Sequence, residues 1–313
     1  MRELSSTREA YGKTLVALGK ENPDIVVLDA DLSRSTMTRL FAQEFPQRFF
    51  DCGIAEQNMM SISAGLAASG KIVFASSFAV FATARCFDQL RMSIAQPHLN
   101  VKVVASHGGI SVGEDGFSHH AIEDLSLACS LPGFIVVVPA DAIEVAQVIR
   151  VAAATLGPFY IRLSRPKTPL VYNDGYQFVL GKAVTMRQGF DATIMANGIM
   201  VARALKAAEN LSHQGIDCRV LSMPTLKPLD REAVTLAAKE TGAIVTAEEH
   251  LEQGGLGSRV AQVVVQYQAV PMAFVAIKDV YAKSGTPEDL LQRHGLTAAD
   301  IEKAVKSTLL KKG

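Results

Sequence analysis

The sequence contains no tryptophan, only four cysteines and no net charge at neutral pH. Each of these absences narrows what the chain can be. Cys52, Cys86, Cys129 and Cys218 lie far apart and form no CxxC pair, so neither a zinc ribbon nor a disulfide framework is encoded. Free thiols in a reducing compartment are expected. Acidic and basic side chains balance at 31 each, which leaves no basic face for nucleic acid or an anionic membrane. A local cluster of cations around a small anion is still compatible with that balance. No run of about 18 apolar residues exists, so no transmembrane helix is expected. The opening MRELSSTREAYGK lacks the apolar core of a signal peptide, and a cytoplasmic location is the expectation.

The chain does have alternating short apolar runs and longer helical stretches, over 313 residues, a length that suits two domains. Runs at 24–29 (DIVVLD), 72–75, 101–105 and 134–138 are rich in Val and continuously apolar, as strands buried on both faces are. Helices are predicted at 7–20, 56–69, 82–95 and 141–154. That alternation reads as βαβ units and a parallel sheet. Residues 164–182 then lose periodicity and gain Pro, Gly, Asn and Asp, as a linker does. A smaller α/β unit follows, with strands at 191–196, 216–222, 243–247 and 273–277 and helices at 200–212, 229–240 and 256–267. The expected division is a first domain at 1–165, a linker at 166–182 and a second domain at 183–313.

Four segments carry candidate chemistry. In CGIAEQNMMSISAGLAASG (52–70), Glu56 opens a helix. An isolated first-turn Glu usually does no more than complement the helix dipole. Here its neighbours are apolar or amide and no cation lies within four residues, so a buried Glu56 is expected to exchange a proton near neutrality. In SFAVFATARCFDQLR (77–91), Phe78 and Phe81 stand three apart, as core aromatics do, or as a flat wall for a heteroaromatic ring.

The richest stretch is SHGGISVGEDGFSHHAIED (106–124), placed just after a strand, where open α/β sheets bind ligands. It holds His107, Glu114, Asp115, His119, His120, Glu123 and Asp124. Adjacent His119 and His120 are poorly spaced for one metal ion, and HEXXH and facial-triad spacings are absent. A flexible polar loop for hydrogen-bonding a polyol is the better reading. Arg8, Arg162, Arg165 and Lys167 are candidate phosphate cations, with Ser33 and Ser35 as hydroxyl donors. GGLG in EEHLEQGGLGSR (248–259) does not match GxGxxG and is read as a packing turn.

In this order the motifs resemble the pyrimidine-binding and C-terminal domains of the transketolase family over nearly the whole chain. The fold implied is α/β: a parallel-sheet pyrimidine-binding domain of the thiamine diphosphate enzymes, followed by a smaller α/β transketolase C-terminal domain. GIAEQNM is similar to the segment whose Glu exchanges a proton with the aminopyrimidine of thiamine diphosphate, which assigns that role to Glu56. SFxxF resembles the aromatic pocket around that ring and assigns Phe78 and Phe81 to it, although Ala84 stands where the family often has Tyr. GxSVGEDGxxHxxIED is the most specific match. It implies that His107 binds a substrate phosphate, Asp115 reads a hydroxyl and His119 faces the reacting carbon; His120 replaces the usual Gln. Arg8 (STRxA), Ser35 (ADLxxS) and Arg165 (LSRP) match the remaining phosphate contacts, and Asp31 in the DADL turn is expected to order the cofactor pocket.

The family's GDG…Asn motif for diphosphate and Mg²⁺ has no counterpart: EDG at 114–116 lacks the Asn, and NDG at 173–175, with Asn197 some way beyond, lies in the linker. The resemblance therefore implies a transketolase divided between two chains, with Met1 where the second half would begin. The partner would be an N-terminal transketolase subunit carrying GDG…N and the Mg²⁺ ligands, in an α2β2 heterotetramer acting on sugar phosphates. The β subunit of a 2-oxo acid dehydrogenase and half of a 1-deoxyxylulose 5-phosphate synthase-like enzyme are the alternatives.

Overall fold

The computed structural model describes residues 3–312; Met1, Arg2 and Gly313, and with them the expected chain start, lie outside the described residues. The first unit is built on a seven-stranded sheet in the spatial order Thr225–Lys227, Ile135–Val137, Phe159–Arg162, Val101–Ser106, Ile72–Phe78, Ile25–Asp29, Phe49–Asp51. Every pairing in it is parallel except that of Thr225–Lys227, which arrives from the second unit and joins Ile135–Val137 antiparallel.

Alternation along the strands divides the core into two layers. Val27, Phe74, Val104 and Ile161 pack with Tyr11, Leu15 and Ile149 of the helices Thr7–Glu21 and Ala142–Ala154. Val26, Leu28, Val73, Ala75 and Val103 pack on the other face with Met59 and Met60 of Glu56–Ala68 and Leu125 of Asp124–Ser130. Ser6 starts the first helix by accepting from the Glu9 backbone N–H at 3.3 Å, and so fixes Arg8 in its first turn.

The second sheet runs Met272–Ile277, Ile244–Leu251, Ala192–Ala196, Cys218–Ser222, Val184–Arg187, with only the last strand antiparallel. Its helices Met200–Ser212, Arg231–Thr241 and Leu256–Tyr267 coincide with the expected periodic stretches. Among the described residues no helix is long and apolar enough to cross a membrane.

Three features depart from the sequence reading. The stretch 82–95 is not one α-helix; it winds as π-turns at Phe81–Arg85 and Leu90–Ala95 around the short helix Phe87–Gln89. The cause is its apolar spacing. Ala82, Cys86, Leu90 and Ile94 are all buried and fall every four residues, wider than the 3.6 of an α-helix, so wider turns keep all four on the core. Second, Phe159–Arg162 is a central strand that is absent from the expected strands, its sequence FYIR being short and ending in a charge. Within the stretch expected to be a linker, Thr168–Pro169 pairs antiparallel with Leu4–Ser5.

Third, Arg162 is not a phosphate cation. Its guanidinium Nε lies 3.0 Å from Asp124 Oδ2, with both side chains buried. Its Nη2 donates to the carbonyls of Ala121 at 2.8 Å and Glu249 at 2.9 Å, and the Tyr160 hydroxyl donates to Asp124 at 2.6 Å. Removing one member leaves the other charge buried without compensation. Arg162→Ala is expected to lower the unfolding free energy by about 3–5 kcal/mol in urea denaturation; a loss below about 1 kcal/mol would show that the pair does not hold the fold together.

Candidate active site

The C-terminal ends of the parallel strands collect the candidate residues at one edge of the first sheet, on both sides of the point where strand order reverses between Ile25–Asp29 and Ile72–Phe78. Asp31 and Ser35 follow Ile25–Asp29, Glu56 follows Phe49–Asp51, Phe78 and Phe81 end Ile72–Phe78, His107 ends Val101–Ser106, and Arg165 follows Phe159–Arg162.

Glu56 is 4% exposed at the first position of its helix. The expectation that it would lack a cation fails. Arg85, 29 positions along the chain, places Nη1 3.2 and 3.3 Å from its two carboxylate oxygens. The guanidinium lies over the Phe81 ring, 3.9 Å from the centroid. From there an aromatic array runs inward. Phe81 and Phe78 are near-parallel with centroids 5.9 Å apart, and Phe78 stacks on the His107 imidazole at 3.7 Å. His119 meets Phe81 edge-on at 5.1 Å. The structure thus joins Glu56, through Arg85, to Phe81, Phe78, His107 and His119 in one chain of contacts.

Beyond His107 stands a cationic cluster. Arg8 donates through Nη1 to the Ser35 carbonyl at 2.7 Å and through Nη2 to the Arg165 carbonyl at 3.1 Å, while its Nε is buried without a partner. Arg165 donates to the Val112 carbonyl and lies 2.9 Å from Glu114. His107 itself is buried in a left-handed backbone conformation, φ 60°, and shares a 2.8 Å hydrogen bond with the Ser106 hydroxyl. Burial first, then the charges of Arg8, Arg165 and His119, push its pKa down from 6.5 to about 3. It is a neutral imidazole beside two guanidinium groups, an arrangement that receives an anion by hydrogen bonds and charge without a proton transfer of its own.

The segment 106–124 is not a flexible loop. Ile110, Ser111, Val112, Gly113 and His120 are buried, and Glu249 of the second unit accepts from the Ser111 backbone N–H at 2.5 Å. Gly109, at φ 81°, admits no side chain, because a Cβ there would sit 2.1 Å from the Glu249 carboxyl carbon. Only Glu114, Asp115, Phe117 and Ser118 project as exposed residues, with His119 half-buried. His120 turns inward and pairs its Nε2 with the Gly113 carbonyl at 3.1 Å.

Asp31 is exposed at φ 61° and its backbone N–H donates to Asp51 at 3.0 Å. The side chain that ties the DADL turn together is Asp29, which sequence reasoning missed. It accepts from the Leu32 backbone and from the Thr36 and Thr38 hydroxyls at 2.6–2.8 Å, and burial raises its pKa to about 6. Its signal was available as a charge closing an apolar strand. Arg85 and Glu249 gave no comparable signal. Lys167 is exposed. In the second unit, Glu248 accepts from the Leu256 and Gly257 backbone N–H groups at 2.7 and 2.8 Å, so the helix N-terminus that opens within GGLG is filled by the chain's own carboxylate. Among the described residues no three His, Cys, Asp or Glu side chains group as metal ligands would.

Residues 4–171 match the family model described as "Transketolase, pyrimidine binding domain" and residues 181–301 match "Transketolase, C-terminal domain". The chain belongs to the transketolase family. A solved structure titled "Split gene transketolase, inactive beta4 tetramer" is 51% identical and superposes with a TM-score of 0.93, over 98% of this chain and 99% of that one. A 6-deoxy-6-sulfo-D-fructose transketolase subunit from a Clostridium strain is 42% identical, over 95% of this chain and 92% of that protein. Transketolase-like protein 2 of Mus musculus is also 42% identical, but the chain spans about half of it, 49%, while 99% of this chain is covered. By sequence and fold this is a transketolase-family enzyme subunit of the C-terminal type.

The low His107 pKa has a direct consequence. The NMR signals of the His107 imidazole are expected to stay constant between pH 5 and 8, and a titration centred near 6.5 would contradict the buried neutral assignment. Between about 3 and 6.5 the unfolded chain binds a proton at this residue that the folded chain does not. Its contribution to stability is therefore full above 6.5 and is lost progressively as pH falls toward 3.

Proposed function

We propose that this chain is the C-terminal subunit of a thiamine diphosphate-dependent transketolase that moves a two-carbon ketol unit from a ketose phosphate to an aldose phosphate together with an N-terminal subunit. The observation that carries the reading is the convergence, at one sheet edge, of a buried carboxylate, an adjoining aromatic wall and a separate cationic cluster. These fit the aminopyrimidine half of the cofactor and a substrate phosphate. The sequence has no GDG…Asn motif, so the diphosphate and Mg²⁺ are assigned to the partner chain. The end-to-end likeness to a split-gene transketolase, whose assembly of one chain type is titled inactive, supports the same division.

When bound, the cofactor supplies the carbanion chemistry that cleaves and forms the carbon–carbon bond. The chain's residues surround that chemistry. Glu56 holds or releases a proton at the pyrimidine ring nitrogen. Phe78 and Phe81 orient the ring and exclude water from that side. Arg8, Arg165, Ser35 and neutral His107 hold the sugar phosphate, which fixes the distance from phosphate to reacting carbon. Half-buried His119 and exposed Asp115 are placed to hydrogen-bond the sugar near that carbon. Asp31 lies at the same edge, on the turn that Asp29 orders. A decarboxylase acting on 2-oxo acids has no use for the cationic cluster, which favours the sugar-phosphate reading over that alternative.

Glu56→Gln keeps the shape and removes the exchangeable proton. In the two-chain complex it is expected to lower kcat for ketol transfer by at least about 100-fold with urea stability near wild type; retained full activity would sink the proposal. Arg8→Ala tests the anion cluster separately. It should raise KM about tenfold or more for a phosphorylated ketose and change it little for an unphosphorylated one. Equal effects on the two substrates would contradict the phosphate assignment.

A further inference from the structure

The Arg85 side chain makes two contacts that together describe the shape of something else. Its flat, delocalised guanidinium lies over the Phe81 ring at 3.9 Å and points N–H groups at both oxygens of Glu56, at 3.2 and 3.3 Å. An aminopyrimidine bound by the same two residues would present a planar ring to Phe81 and an N–H to Glu56. Both groups cannot stand there at once. A permanent Arg85–Glu56 pair would also leave both carboxylate oxygens occupied.

The contact is built to be undone. The Arg85 side chain is 48% exposed, against 4% for Glu56, so the guanidinium has solvent on one side into which it can withdraw. Arg85 ends a π-turn, and the next residue, Cys86, leaves helical geometry at φ −123°, ψ 26°. On the other side, Gln57 Nε2 holds the Arg85 carbonyl at 2.9 Å, so the backbone stays fixed while the side chain is free to swing. We infer that Arg85 is a placeholder, which fills the pyrimidine subsite in the unassembled chain and withdraws when the cofactor enters. The inference rests on the proposed function.

The test uses thiamine, which carries the aminopyrimidine but no diphosphate and therefore needs no partner-held metal. It is titrated by NMR into the isolated chain as wild type, Arg85→Ala and Arg85→Lys. Removing a resident competitor raises apparent affinity by the reciprocal of the fraction of chains left open. Arg85→Ala is expected to bind thiamine about 5- to 10-fold more tightly than wild type. Arg85→Lys, which keeps the charge but loses the flat face, should fall between them. In the reconstituted enzyme the apparent affinity for thiamine diphosphate should rise in the same order. Unchanged or weaker binding by Arg85→Ala overturns the placeholder, as does an absence of thiamine binding in all three chains while the wild-type complex turns over. A wild-type complex without cofactor-dependent transfer would remove the proposed function, and the placeholder with it.

Discussion

The buried pair of Arg162 and Asp124 is the contact on which the rest of the site depends. Arg162 ends a central strand, Asp124 begins the helix after the segment 106–124, and the same guanidinium holds a carbonyl from that segment and another from the second domain. Three parts of the chain thus share one fixed cation. Glu249, whose carbonyl is one of those acceptors, uses its carboxylate to hold Ser111. The segment that carries His107, Asp115 and His119 is therefore fixed at both ends, and its own glycines pack closely against Glu249, Pro287 and Ser284. Preorganisation of this kind lets hydrogen-bond donors meet a substrate without reorganising.

Around that fixed segment the charges are divided by role. The carboxylate of Glu56 lies at one end of the aromatic array, and Arg8 and Arg165 lie at the other, with neutral His107 between them. The division matches a reagent and substrate pair of which one part is a flat heteroaromatic ring and the other carries a phosphate. A protonated His107 would draw the anion toward the aromatic wall. Its burial against Phe78 keeps the positive charge on the arginines, farther from the carboxylate.

Much of this was legible in the sequence because the chemistry lies in local strings. GIAEQNM, SFxxF and the 106–124 segment each place their residues within a few positions of a strand end, and βαβ alternation brings strand ends to one edge. Contacts between strings were not legible. Arg85 and Glu56 are 29 positions apart and meet only because the π-turns rotate Arg85 toward the helix start. Arg162 reads as a candidate phosphate cation in IRLSRPK, and only its ion pair with Asp124, from the far end of another motif, shows it to be a buried structural one. The looseness ascribed to 106–124 came from its glycines. In the fold those glycines serve close packing against Glu249, Pro287 and Ser284.

Under the proposed function, this chain supplies the subsites for one half of the cofactor and for a sugar phosphate, and the partner supplies those for the other half. Isothermal titration of thiamine diphosphate with Mg²⁺ into this chain, into the proposed N-terminal partner and into the mixture, coupled to a two-carbon transfer assay on the same samples, tests that most directly. Tight binding and transfer are expected only in the mixture, with the chain alone inactive at every cofactor concentration. Ketol transfer by this chain alone would contradict the account.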